Sequence, residues 1–155
     1  MPELPEIETI RNGLRRFVLN QAISSFEIKD KKLPIKAIDL NKIKGDKFSD
    51  VLRLGKLLIF TFKKSDKKLL IHLKMTGQLV FLGEKTLIAG GHSEKKKHSL
   101  QLDDLKHIRF QINLANNHKL VLNDTRRFAY VRLVGEKDFL EIRRIIELKN
   151  TRAFP

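Results

Sequence analysis

The chain has 155 residues, which suits one domain with at most a short appendage. Thirty-two Lys and Arg against 18 Asp and Glu leave a formal charge of +14, while 41% hydrophobic residues, including ten Phe, exclude a disordered basic tail. With no Cys, a disulfide scaffold and a thiolate zinc finger are excluded, and no apolar run nears the ~18 residues of a membrane span.

The first predicted element is a helix from about Leu4 to Leu19. Ile7, Ile10, Leu14, Phe17 and Val18 recur at helical spacing, and Pro5 suits the first turn, where a missing N–H costs nothing. Glu6 and Glu8 lie near its positive end, with Arg11, Arg15 and Arg16 further on, as the helix dipole prefers. Short β-rich runs follow at Phe26 to Ile28, Val51 to Leu54, Leu57 to Phe62, Leu69 to Leu73 and Leu79 to Leu82. Gly83 to Ser99, with Gly90-Gly91 and the basic run Lys95-Lys96-Lys97-His98, reads as a mobile loop facing solvent. The clearest alternation is Ile108, Phe110, Ile112 and Leu114 within Lys106 to Leu114; Asn116-Asn117 then turns the chain into Leu120 to Leu122, and Ala129 to Val134 closes the series. Phe139, Ile142, Ile145 and Ile146 predict a second helix over about Lys137 to Lys149. Many short strands separated by turns indicate an antiparallel sandwich or barrel, mainly β with flanking helices.

A sequence pI near 10.1 passes the ~9 mark of nucleic-acid binders. Counterion release from phosphate rewards a basic face, although a solvated lysine-rich surface has the same composition. Lys95 to Lys97 is therefore only a candidate contact to DNA or RNA. His92, His98 and His118 lack the spacing of metal ligands, so no metal site is expected. Glu3 stands where a signal peptide would carry basic charge, and a cytoplasmic location is the expectation.

The amino terminus is itself a chemical group. Removal of Met1 exposes the secondary amine of Pro2, which can attack an aldehyde-level carbon and form a cationic iminium, an electron sink. An α-amino pKa of ~7.7–8.0 leaves a useful neutral fraction at pH 7, and Glu3 stands beside the amine to move protons. The bland alternative is a helix lead-in with acids at its dipole.

The opening Met1-Pro2-Glu3-Leu4-Pro5-Glu6-Ile7-Glu8-Thr9 resembles the amino-terminal signature of the formamidopyrimidine-DNA glycosylase family. So do Leu54-Gly55-Lys56-Leu57-Leu58, His72-Leu73-Lys74-Met75-Thr76-Gly77, Lys106-His107 and Asp124-Thr125-Arg126-Arg127-Phe128, in the family's order. The resemblance implies an antiparallel sandwich of about eight strands with an N-terminal and a C-terminal helix. Residues 1–135 would form the catalytic domain, and 136–155 a C-terminal helix with the start of a linker.

The activity implied is base-excision repair: removal of oxidised purines (8-oxoguanine, formamidopyrimidines), then cleavage at the abasic site. Pro2 would be the nucleophile at C1′, Glu3 the adjacent acid/base, Glu6 a positioning carboxylate, and Lys56 a phosphate contact and proton donor in β-elimination. Met75, Arg126 and Phe128 would fill the gap left by the extruded base, and His107 and Arg127 would bind backbone phosphates. His72 is read as support for the Met75 turn. Damaged double-stranded DNA is the implied partner of a monomer, with no membrane association. A C-terminal DNA-binding domain, separate or deleted, is a second partner. The family's helix–two-turn–helix module and zinc or zincless finger would lie in that half, so no cofactor is expected in this chain.

Two departures stand out. Thr125 replaces a Pro and Ala129 a Gly of the family's arginine turn; if that Gly needs positive φ, Ala129 strains the turn and displaces Phe128. The missing second half leaves open a non-catalytic DNA-binding domain that needs its other half. Leu4 resembles the formamidopyrimidine branch more than the endonuclease VIII branch, which more often has Gly there, and an endonuclease VIII-like enzyme for oxidised pyrimidines stays an alternative.

Overall fold

The computed structural model describes residues 4–84, 86–90 and 101–153. In chain order the elements are α1 (Leu4–Val18), β1 (Ile23–Ile28), α2 (Ala37–Leu40), β2 (Phe48–Leu54), β3 (Leu57–Phe62), β4 (Lys68–His72), β5 (Gln78–Leu82), β6 (Leu87–Gly90), β7 (Ile108–Leu114), β8 (Lys119–Asn123), β9 (Tyr130–Val134) and α3 (Glu136–Ala153). All strand pairings are antiparallel and build two sheets, ordered β1-β7-β8-β5-β6 and β2-β3-β4-β9.

The mainly β sandwich with terminal helices is as expected, with nine strands among the described residues where about eight are expected. The addition is β6, which pairs with β5 inside the stretch expected to be a mobile loop. Its four residues are too short a run to show periodicity. What makes it a strand is packing: Leu87 lies against the core, and a Cβ on Gly13 of α1 would stand 3.3 Å from Leu87 Cδ2, so the glycine admits the close approach. Gly91 to Ser99 lies outside the described residues.

The core follows from the alternation. Leu58 and Phe60 of β3, Leu69 and Ile71 of β4, Leu79 and Phe81 of β5, Phe110 and Ile112 of β7, and Leu120 and Leu122 of β8 meet between the sheets. Ile7, Ile10, Leu14 and Val18 bring one stripe of α1 into the same cluster. This helix packs on β2 and β6, the edge strands of the two sheets on one side of the sandwich. Asn20, in left-handed backbone (φ 67°), ends α1, and its N–H donates to Phe48 O at 3.0 Å.

On the outer face of the four-stranded sheet, Leu57, Ile59, Leu70 and Val134 are covered by Phe139, Ile142 and Ile146 of α3. Burial on both faces explains why Leu57 to Phe60 of β3 reads as a continuous apolar run instead of alternating. The helix runs four residues past its predicted end at Lys149.

Besides 29–47, from β1 to β2, two connections cross from one sheet to the other: 73–77, from β4 to β5, and 124–129, from β8 to β9. Both lie at one end of the sandwich, because His72 pairs with Tyr130 and Gln78 with Asn123.

Candidate functional site

That end collects the side chains singled out in the sequence. Lys56 sits half-buried in the β2–β3 turn beside Gly55, whose φ of +60° only glycine adopts freely. The Lys56 charge is felt at His72, the last residue of β4. Met75 occupies the β4–β5 loop, and Arg126, Arg127 and Phe128 the β8–β9 loop. His107 precedes β7, where its N–H donates to Asn123 Oδ1 (3.0 Å) and its carbonyl accepts from Asp124 N (2.9 Å), leaving the ring exposed. Glu6 is exposed in the first turn of α1. Pro2 and Glu3 lie outside the described residues, as do His92, His98 and the Lys95 to Lys97 run.

Two of the collected residues are large apolar side chains held in solvent: Met75 is 51% exposed and Phe128 50%. The Arg126 guanidinium lies over the Phe128 ring, 4.9 Å from its centroid. A thioether, a ring and a stacked guanidinium thus project together beside exposed Arg127.

The backbone that presents them is strained in two places. Lys74 (φ 56°) and Arg127 (φ 62°) both occupy the left-handed region, uncommon for such side chains and concentrated at functional loops. The expected strain at Ala129 is corrected: positive φ falls on Arg127, whereas Ala129 is buried at 5% exposure with its N–H donating to Asp124 Oδ2 at 2.7 Å. Phe128 keeps its place in the exposed group.

Asp124, fully buried, holds this loop from beneath. Its carboxylate accepts from the amides of Arg126 (3.2 Å), Phe128 and Ala129, and from the Thr76 hydroxyl of the neighbouring loop. Burial alone would raise its pKa; these donors, led by Thr76, outweigh burial and hold it below the ordinary Asp value. Beneath it, buried Arg109 donates from Nε to Asp124 O (3.0 Å) and pairs with Asp30 Oδ2 (3.1 Å).

The Met75 loop has its own support. His72 Nδ1 accepts from Lys74 N at 3.1 Å, in line with the supporting role expected of it. Burial, reinforced by the Lys74 and Lys56 charges, depresses the imidazole from 6.5 to about 4, so it is a neutral acceptor at pH 7. Gly77 closes the loop where a Cβ would meet Leu73 O at 2.4 Å and Ala129 Cβ at 2.9 Å. At the third turn, Arg53 donates to Gly55 O (3.0 Å) and to Glu8 Oε1 (2.9 Å).

Glu8, Arg53, Thr76, Arg109 and Asp124 were not singled out individually from sequence. Only Asp124 left a local signal: an Asp opening a turn is a common acceptor for amides two residues on. The others act through contacts distant in sequence.

A basic, apolar-tipped edge on a helix-flanked antiparallel sandwich defines the class: a β-sandwich domain that presents loops from the junctions between its sheets. Residues 1–131 match the family model of the formamidopyrimidine-DNA glycosylase N-terminal domain, and the chain belongs to this family. It is 36% identical over 138 residues to a formamidopyrimidine-DNA glycosylase of Streptococcus agalactiae, covering 86% of this chain and 43% of that protein. The corresponding figures for Rickettsia felis are 35% over 133 residues, 84% and 42%. Among solved structures, a Lactococcus lactis Fpg mutant in complex with a THF-containing DNA superposes with a TM-score of 0.70 at 25% identity, covering 91% of this chain and 46% of that one. The chain spans less than half the length of these relatives.

Proposed function

We propose that this chain is the catalytic half of a bifunctional DNA glycosylase/AP lyase that excises oxidised purines from double-stranded DNA. The observation that carries the reading is the shared edge: Met75, Arg126 and Phe128 project from the same end of the sandwich as Lys56, Arg127 and His107. An enzyme that acts on a base extrudes it from the stack, and a flexible thioether, a ring and a guanidinium suit the vacated space. Arg127, His107 and Lys56 supply positive or donor groups for the flanking phosphates.

Pro2 nitrogen forms a bond to C1′ as the glycosidic bond breaks, and the base leaves with its electron pair and a proton supplied through Glu3. Opening of the sugar ring converts the adduct to a cationic iminium. The iminium acidifies C2′–H, and loss of that proton expels the 3′ phosphate. Glu6 would hold the amine in place and Lys56 would donate a proton. This chemistry calls for no cofactor.

Borohydride reduction with an abasic-site oligonucleotide tests the proposal. A covalent adduct on a chain that has lost Met1 is expected; no adduct despite a free Pro2 would sink the lyase chemistry. Pro2→Gly should abolish turnover and spare affinity, whereas Arg127→Ala should weaken binding.

A second reading, a non-catalytic DNA-binding domain, is favoured by the formal charge of +14, which rewards phosphate contact without any chemistry. It predicts salt-sensitive binding, with a log–log slope of about −0.9 per phosphate contacted, and no strand scission.

A further inference from the structure

Asp124 serves two loops, not one. Three of its donors are amides of its own loop, as in any turn closed by an Asp. The fourth, the Thr76 hydroxyl, comes from the other crossover and stands beside Met75. The next residue, Gly77, lies so close to Ala129 that a Cβ there would be 2.9 Å from Ala129 Cβ. The two loops therefore touch at adjacent positions, through a hydrogen bond to a charged acceptor and through packing. Below them, the Arg109–Asp30 pair fixes the main chain of Asp124.

This junction lies between two left-handed residues, Lys74 and Arg127, whose conformations persist only where their surroundings over-determine them. We propose that Asp124 is a positioning residue which, through Thr76, locks the Met75 loop to the Arg126–Phe128 loop so that the three exposed side chains form one wedge. The role as a wedge in DNA rests on the function proposed above; the coupling of the loops does not. The competing account is that Asp124 only closes its own turn, the loops being aligned by the flanking strand pairs His72–Tyr130 and Gln78–Asn123.

Thr76→Val removes the hydroxyl at nearly constant shape, and Thr76→Ser restores it. In the DNA-free protein, Thr76→Val should accelerate hydrogen exchange of the Arg126 and Ala129 amides about tenfold or more, the size expected for loss of a hydrogen bond to a charged group. Thr76→Ser should return it towards wild type. In binding assays, Thr76→Val should reduce the preference for an abasic-site duplex over the intact duplex about tenfold, with intact-duplex affinity unchanged. Unaltered exchange in Thr76→Val overturns the coupling, whatever DNA does. Faster exchange with an unchanged abasic-site preference overturns the positioning role. A wild-type chain with no such preference overturns the proposed function and with it the wedge, while faster exchange in the variant would still support the coupling. Should Thr76→Val fail to fold, Thr76→Ala carries the same test.

Discussion

Glu8 and Arg53 join the first helix to the β2–β3 turn across 45 residues of sequence. Arg53 Nε donates to Glu8 Oε1 at 2.9 Å, and the same guanidinium holds Gly55 O at 3.0 Å, next to Lys56. Arg11 adds a second partner at 2.6 Å, and hydrogen bonds from Arg11 and then Arg53 hold the Glu8 carboxyl at about 2 in place of 4.5. The start of α1 and the Lys56 turn are thereby tied to one carboxylate. A depressed carboxyl stabilises the fold above its unfolded pKa and ceases to do so as pH falls through the folded value. Glu8→Gln should therefore melt below wild type at pH 7, with the gap closing between pH 4.5 and about 2. Thermal melts over that range check it.

His72 titrates with a different window. Its folded pKa of about 4 lies below 6.5, so the unfolded chain takes up the proton first as pH falls. Stability from the neutral ring is complete above pH 6.5 and declines towards pH 4. His72→Asn keeps an acceptor near the Nδ1 position and removes the titration. Urea midpoints of the variant should lack the wild-type decline between pH 6.5 and 4.

Gly77→Ala should be among the costliest single-methyl additions in the molecule. The new Cβ meets Leu73 O at 2.4 Å and Ala129 Cβ at 2.9 Å, one backbone and one buried group. Overpacking of this kind costs about 1–3 kcal/mol, which calorimetry would show as a fall of several degrees in Tm.

Arg127 separates stability from binding. Arg127→Ala keeps a Cβ in the left-handed region, whereas Arg127→Gly releases it. The relief of ~1–2 kcal/mol, less the entropy glycine adds to the unfolded chain, should leave the Gly variant more stable than the Ala variant by about 0.5–1 kcal/mol. Both should bind duplex more weakly, with a salt slope shallower by about one unit. Equal stabilities would show that Arg127 is unstrained.

The strands and helices that alternation could reveal were legible. The β7 pattern and the apolar stripe of α1 map directly onto elements that contribute to the core. Lys56, Met75, Arg126, Arg127 and Phe128 were legible through their motif context, and the fold brings their loops to one end. The four-residue β6 was not, because a run so short shows no periodicity and its pairing with β5 is a tertiary contact. Nor was the site of strain: nothing in an arginine's chemistry announces left-handed backbone, and the positive φ falls on Arg127, not on Ala129. Thr76, Arg109 and Glu8 act on partners 48, 15 and 45 residues away, distances over which local pattern carries no information.

Because both tip-bearing connections run from one sheet to the other, sliding of the two layers would distort both loops at once. On the function proposed above, damage detection would double as a gauge of interior cohesion. On that reading, a cavity carved at Phe48, on the strand end remote from Lys56, should dull discrimination between lesions without altering a single residue proposed to meet the nucleic acid.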